Sequence, residues 1–367
     1  MIRLVDFTRQ NKFLKKKLMR SIARVVDGQT YILGKDVDLF EQEFASYCKT
    51  RFAVGVASGS DALFLSLRSL GIGKGDEVIT VANTYISTVF PILHVGAKPV
   101  LVDADQNTLS IDITHAEKHI TSRTRAIMPV HLFGLPADID PLLHLAKKYK
   151  LFIIEDSCQA HGALYKEQPV GSFGSIGCFS FYPSKNLGAF GDAGAVVTNN
   201  KQIADTIKIL RNIGQKEKNI HEMIGYNSRL DTIQAAILRT KLPHLPTWIQ
   251  RRRKIASYYN DHLRDLPIML PKEPAYARSS YHLYVIRTAH RDQLKQYLQK
   301  KGIMCGIHYP APIHLQPCMG ILGYVEGDFP VSEKSAKEML SLPLYPELTQ
   351  KEALTITHNI RKFFHRA

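Results

Sequence analysis

Cysteine is scarce and unpatterned in this chain. Cys48, Cys158, Cys178, Cys305 and Cys318 are the five among 367 residues. None form a Cys-x-x-Cys pair, their number is odd, and Cys158 and Cys178 fall in apolar segments. A disulfide framework is thereby excluded, and a reducing compartment, read as the cytoplasm, is expected. No histidine–cysteine cluster has ligand spacing, so no metal is expected. No apolar run approaches the roughly 20 residues of a membrane span, so no membrane partner is expected. Residues 1–7 lack the long apolar core and small-residue cleavage site of a signal peptide. Internal repeats and low-complexity tracts are also missing. Acidic residues are few: 33 Asp and Glu stand against 48 Lys and Arg, a formal charge of +15. That excess lies in amphipathic stretches such as 11–20 and 251–254 and accompanies no nucleic-acid motif. It reads as a solvated basic surface, not a nucleic-acid site.

What is present is a long alternation. The length suggests about two domains. Apolar strand candidates at 52–57, 77–81, 99–102, 125–130, 151–155, 177–181 and 194–198 alternate with helical periodicity. That pattern predicts an α/β fold with a mostly parallel central sheet covered on both faces. Before it, a basic amphipathic helix precedes a second helix whose Val37, Phe40, Phe44 and Tyr47 share one face. After it, residues 216–225 are polar and read as an irregular loop. A helix from Asp231 is interrupted by Pro243 and Pro246 and resumes over 248–263. Strand 282–287, helix 291–301 and a closing helix from about Thr349 form a smaller α+β unit. The division expected is a large domain, 1–245, and a small one, 246–367, with segment 1–34 set against the small domain.

Three stretches carry chemistry. In Gly177 to Gly194, a buried strand delivers Lys185 onto a turn punctuated by Pro183, Gly188, Gly191 and Gly194. A lysine held in a cleft loses its proton more easily and can form an imine with a carbonyl; a loop-capping lysine is the alternative. Strand 151–155 ends at Asp156, where open α/β sheets place ligands. A carboxylate there can keep a pyridine nitrogen protonated, and lysine plus aspartate is the pairing used with pyridoxal phosphate. A helix N-cap is the other reading of Asp156. Strand 52–57, Ser58-Gly59-Ser60-Asp61 and a helix form a third unit, whose free N–H groups suit a phosphate; Ser58 or Asp61 can instead be simple caps.

These stretches, with Gly28–Gly34, Gly225–Ala236 and Gly306–Pro312, resemble the DegT/DnrJ/EryC1/StrS family of sugar-nucleotide aminotransferases over nearly the whole chain. The resemblance implies the aspartate aminotransferase (type I) fold and pyridoxal 5'-phosphate, with pyridoxamine phosphate as intermediate. By it, Lys185 is the Schiff-base lysine and Asp156 pairs with the pyridinium. Gln159 lies by the ring hydroxyl, Tyr85 stacks on the ring, and Gly59, Ser60 and Ser180 hold the phosphate. Asn227 reaches that phosphate from the second subunit of a homodimer with shared sites. Relatives with histidine at the lysine position are dehydratases, and this chain keeps Lys185. Tyr182, Lys218, Arg229, His308 and Tyr309 are assigned to the substrate. The alternatives are a core position for Tyr182, a solvated loop for Lys218, a helix-cap role for Arg229 and a self-contained loop histidine for His308. The stretch 306–316 is similar to relatives that aminate C3 of dTDP-3-keto-6-deoxyhexoses. The expected reaction takes such a sugar and L-glutamate to the 3-amino sugar and 2-oxoglutarate. C4 amination, a UDP-linked sugar, and a non-catalytic basic regulatory protein on the same scaffold are the competing readings.

Overall fold

Each of the seven apolar runs becomes a strand of one sheet in the computed structural model, which describes residues 1–365. The strands are β1 (Phe52–Val56), β2 (Glu77–Val81), β3 (Lys98–Val102), β4 (Thr124–Met128), β5 (Phe152–Asp156), β6 (Ile176–Ser180) and β7 (Gly194–Thr198). Their order is β1-β7-β6-β5-β4-β2-β3. The pairs from β6 to β3 are parallel, while β7 runs antiparallel to both β6 and β1. All five residues of β2 and of β7 are buried. Continuous burial is what a sheet covered on both faces requires, and it explains why these strands read as apolar runs.

Helices of ten or more residues are α1 (Thr8–Gly28), α2 (Lys35–Tyr47), α3 (Gly59–Ser69), α4 (Ile139–Tyr149), α5 (Lys201–Arg211), α6 (Thr232–Lys241), α7 (Leu245–Leu263), α8 (Arg291–Lys300) and α9 (Gln350–Phe364). Successive strand residues point to opposite faces. Ala53, Phe179 and Val197 accordingly pack with Leu14 and Leu18 of α1 and Phe40 and Phe44 of α2. Their neighbours Val54, Cys178 and Val196 pack on the other face with Leu63 and Leu67 of α3 and Ile207 of α5.

The C-terminal part has its own core, in which Tyr259, Tyr284, Leu294, Leu298, Leu340, Ile356 and Ile360 meet. It is built on the antiparallel pair β8 (Tyr284–Arg287) and β9 (Met339–Leu342). Helix α9 starts on a reciprocal cap between Thr349 and Glu352. The two prolines break the long helix as expected: Leu242–His244 form a 3-10 turn around Pro243, and Pro246 sits in the first turn of α7, where no N–H donor is needed. Helix α7 serves both cores, with Leu245, Trp248 and Ile249 in the first and Ala256, Tyr259 and Leu263 in the second. Segment 1–34 divides in the same way. Ile2 pairs with Ile303, whereas α1 packs on the sheet side.

The stretch 216–225 is more ordered than its sequence suggests. Gln215–Glu217 pairs with Ile220–His221 as a short hairpin, with Asn219 in the left-handed conformation at its turn. Its arms are too short and too exposed to leave an alternating pattern. No described helix is long and apolar enough to cross a membrane.

Candidate active site

The turn after β6 is closed by backbone bonds that present Lys185. Phe181 N–H donates to Ala193 (2.7 Å), Lys185 N–H to Tyr182 (2.8 Å) and Ala189 N–H to Phe181 (2.8 Å). A side chain at Gly188 would run into the Pro183 carbonyl, so only glycine permits this closure. Lys185 is partly buried and lines a cavity of about 490 Å³. Burial lowers its pKa below the ordinary lysine value, against the opposing pull of Cys158 and Asp156.

Asp156 is the last residue of β5 and is 5 % exposed. Its Oδ2 accepts from Thr88 Oγ1 (2.8 Å) and its Oδ1 from the Cys158 N–H (3.2 Å). Thr88 in turn lies 2.8 Å from the Thr84 hydroxyl. Thr88 has one proton and spends it on the carboxylate, so Thr84 must donate to Thr88. No helix begins at Asp156, which removes the N-cap reading. Glu155, one residue earlier, points the other way into a closed anion hole. It accepts from His131 Nε2 and from the N–H groups of Gly171, Phe173 and Gly174. One carboxylate thus serves the scaffold and its neighbour faces the cavity.

A third side of the cavity is the start of α3. Ser58 caps this helix by accepting from the Asp61 N–H (3.1 Å), and Ser58, Gly59, Ser60 and Ser180 line the cavity beside it. The first N–H groups of a helix have no intrahelical partner and sit at its positive end. A Cβ on Gly59 would stand 2.6 Å from Ser180 Cβ and 2.9 Å from Cys158 Sγ. With only hydrogen at 59, the start of α3 closes onto Ser180 and Cys158, and together they shape a small cradle at the cavity wall.

Gln159 bridges the cavity floor and its cover. Its Oε1 accepts from the Phe133 N–H (2.9 Å) and its Nε2 donates to the Tyr309 hydroxyl (3.1 Å). The Tyr85 and Tyr309 rings lie 5.2 Å apart, and Tyr182 stands at the rim, 54 % exposed. That exposure rules out a core role for Tyr182. His308 is held through Nδ1 by Ser341 Oγ (2.8 Å), and burial together with Lys185 lowers its pKa to about 4. His282 also lines the cavity and is held well below its ordinary pKa by burial, then by Lys185.

Ten of the thirteen residues singled out in the sequence therefore meet around one cavity: Gly59, Ser60, Tyr85, Asp156, Gln159, Ser180, Tyr182, Lys185, His308 and Tyr309. Asn227, Lys218 and Arg229 do not. Lys218 is exposed on the hairpin, Asn227 is exposed and pairs with Asn212, and Arg229 Nη1 donates to Asn212 Oδ1 (3.0 Å). Sequence reasoning missed Thr84, Thr88, Cys158, His282, Leu4 and Val5. The two threonines follow β2 and Cys158 follows β5, so all three were accessible to the strand-end argument that found Asp156. His282, Leu4 and Val5 reach the cavity through long-range packing.

The sequence matches the DegT/DnrJ/EryC1/StrS aminotransferase family over residues 12–361. It is 46% identical over 354 residues to the dTDP-3-amino-3,4,6-trideoxy-alpha-D-glucose transaminase of Streptomyces venezuelae, covering 96% of this chain and 93% of that protein. It is 43% identical over 364 residues to the UDP-N-acetyl-3-dehydro-alpha-D-glucosamine 3-aminotransferase of Acidithiobacillus ferrooxidans, covering 99% and 98%. The fold superposes on the crystal structure of S. venezuelae DesV in complex with a ketimine intermediate. The TM-score is 0.98 at 44% identity, over 100% of this chain and 99% of that one.

Proposed function

The chain belongs to the DegT/DnrJ/EryC1/StrS aminotransferase family, and from that premise we propose that it moves an amino group from L-glutamate to C3 of a dTDP-3-keto-6-deoxyhexose. The observation that carries the reading is the placement of the Lys185 amine and the Asp156 carboxylate on one cavity with the Gly59–Ser60 cradle. A phosphorylated pyridine fits this set. The α3 N-terminus with the Ser60 and Ser180 hydroxyls would hold the phosphate, Asp156 would pair with the ring nitrogen, and Lys185 would meet the aldehyde. Tyr85 would supply a face for the ring, and Gln159 would meet its hydroxyl edge.

Pyridoxal phosphate supplies the electron sink through which an amino group changes carbon skeleton. The chain supplies everything else. Thr88 and the Cys158 N–H fix the Asp156 carboxylate in one orientation, in which it would keep a facing ring nitrogen protonated. Lys185 Nζ, whose hold on its proton burial weakens, is the base that takes a proton from the donor's α-carbon and returns it on the acceptor's side. His308, Tyr309 and Tyr182 lie where a sugar or pyrophosphate would be held. His308 is neutral at physiological pH and serves there as a hydrogen-bonding group.

We further propose a homodimer in which Asn227, Lys218 and Arg229 of the partner subunit complete each site. Their position outside their own chain's cavity supports this, as do the exposed Tyr31, Ile32, Phe190 and Ile224. The Acidithiobacillus relative keeps a UDP-linked sugar as the second reading. The free cysteines fit a cytoplasmic site of action. A non-catalytic regulatory role would have no use for the desolvated amine and the glycine cradle.

The test is a panel of dTDP- and UDP-linked 3-keto and 4-keto sugars with L-glutamate, products being identified by mass and NMR. A 3-amino dTDP-sugar is expected. Amination at C4, or of UDP-sugars alone, overturns the substrate reading. Purified protein that takes up no pyridoxal phosphate overturns the catalytic one.

A further inference from the structure

We propose that Leu4 and Val5, in the segment ahead of α1, form the wall that selects a methyl over a hydroxymethyl group at C6 of the sugar. The inference rests on the nucleotide-sugar reading above and assigns a specificity role to part of the chain outside the motifs.

The segment is tied at both ends. Ile2 N–H donates to Gly302 (2.7 Å), Met304 N–H donates back to Ile2 (2.9 Å), and the Ile2 side chain packs on the C-terminal core. At the other end, Asp6 Oδ1 accepts from the Thr8 N–H (2.8 Å) as α1 begins. Leu4 and Val5 lie between these anchors, and both line the cavity. Leu4 is also fixed against the cavity's cover. A Cβ built on Gly306 would meet His308 Cε1 at 2.7 Å and Leu4 Cδ2 at 2.8 Å. The missing side chain at 306 thus lets the Leu4 methyl and the His308 ring share one edge.

The chemistry of that edge is distinctive. Most of the residues around the cavity carry a hydroxyl, carboxylate, amide, amine or imidazole group. Of its other aliphatic residues, Leu63 belongs to α3 beside the phosphate cradle, Val130 pairs with Asp156, and Leu283 packs with Leu109, Val285 and Met339. Leu4 instead puts hydrocarbon next to His308, where the sugar is placed, and Val5, its chain neighbour, lines the same cavity. A hexose presents hydroxyls around its ring and offers an apolar group of this size only where C6 is deoxygenated. A methyl packs there without losing a hydrogen bond, whereas a hydroxymethyl oxygen would lose its water and find no donor or acceptor. Apolar pockets reject an added hydroxyl by about 100-fold at most, which sets the scale expected.

The test compares two acceptors that differ only at C6, dTDP-3-keto-6-deoxyglucose and dTDP-3-keto-glucose. The readout is the ratio of kcat/KM for the two, measured for the wild type and for Leu4→Ser, Val5→Thr and Leu4→Met. The wild type should favour the deoxy sugar by roughly 10- to 100-fold. Leu4→Ser and the isosteric Val5→Thr should each lower that ratio several-fold, and Leu4→Met should preserve it. Loss of folding or of cofactor depresses both acceptors together and leaves the ratio where it was. A ratio unchanged in both polar variants, or a wild type that does not discriminate, overturns the inference while leaving the proposed function intact. A wild type that aminates neither nucleotide sugar overturns the substrate reading, and this inference with it.

Discussion

Thr88 Oγ1 donates to Asp156 Oδ2 across 2.8 Å, joining the turn after β2 to the end of β5. The two strands are not neighbours, since β4 lies between them. The bond therefore reaches over a strand end, at the point where a ring nitrogen would approach. Its partner bond from the Cys158 N–H leaves each carboxylate oxygen with one constrained contact, so the carboxylate cannot rotate away from the cavity.

Thr88→Val keeps the shape and removes the donor. A buried hydrogen bond to a charged group contributes about 1.5–3 kcal/mol, so an uncompensated loss predicts roughly 10- to 100-fold lower kcat/KM. Thr88→Ser should recover most of it. Steady-state kinetics of the two variants, with cofactor titration followed by absorbance, decide the matter. Equal activity of Thr88→Val and wild type would show that Asp156 is held by other means.

Lys185→Met tests the conflict between function and stability. Burial disfavours the charged amine, so the folded chain binds its proton less tightly than the unfolded chain. Between the lowered folded pKa and the ordinary value near 10.4, the unfolded state carries more protons. Stability then rises with pH across that window. Removing the amine should abolish turnover and make the cofactor-free protein more stable near pH 7. The difference should shrink as pH approaches about 10. Urea unfolding of both cofactor-free proteins at several pH values is the measurement. A variant less stable at pH 7 would contradict the burial argument.

The basic run at 251–254 shows what a sequence can and cannot disclose. As a string it reads as solvated charge. In the fold, Arg252 is 4 % exposed, and its Nη1 is shared among the carbonyls of Tyr281 (3.2 Å), His282 (3.2 Å) and Leu344 (3.0 Å). Burial pulls its pKa down to about 10. Strand runs, the Lys185 turn and the Asp156 strand end were legible because each is written in neighbouring residues. Thr88 is readable as a residue just past a strand end, but its bond to Asp156, the Arg252 anchor and the Leu4 wall join positions far apart in the chain, and no local pattern records them. Arg252→Met should cost about 3–5 kcal/mol by stripping three buried carbonyls of their donor. Arg251→Ala and Lys254→Ala should stay within about 0.5 kcal/mol. Thermal and urea unfolding separate the cases, and equal effects at all three positions would place Arg252 in the solvated class after all.

Asn227 provides the test of a shared site. If each cavity takes Lys185 from one subunit and Asn227 from the other, Lys185→Ala and Asn227→Ala homodimers each carry two defective sites. A mixed dimer places both substitutions in one site and leaves the other site intact. Random reassociation of equal amounts makes about half the dimers mixed, each with one working site of two, so activity should recover to roughly a quarter of wild type. The geometry behind this is plain: Asn227 is exposed and pairs with Asn212, outside its own chain's cavity. Mixing the two variants after mild dissociation, and assaying against each one alone, reads the result. Activity no greater than the sum of the separate proteins would confine each site to a single chain. Asn227 would then be left with only its backbone pairing to Asn212.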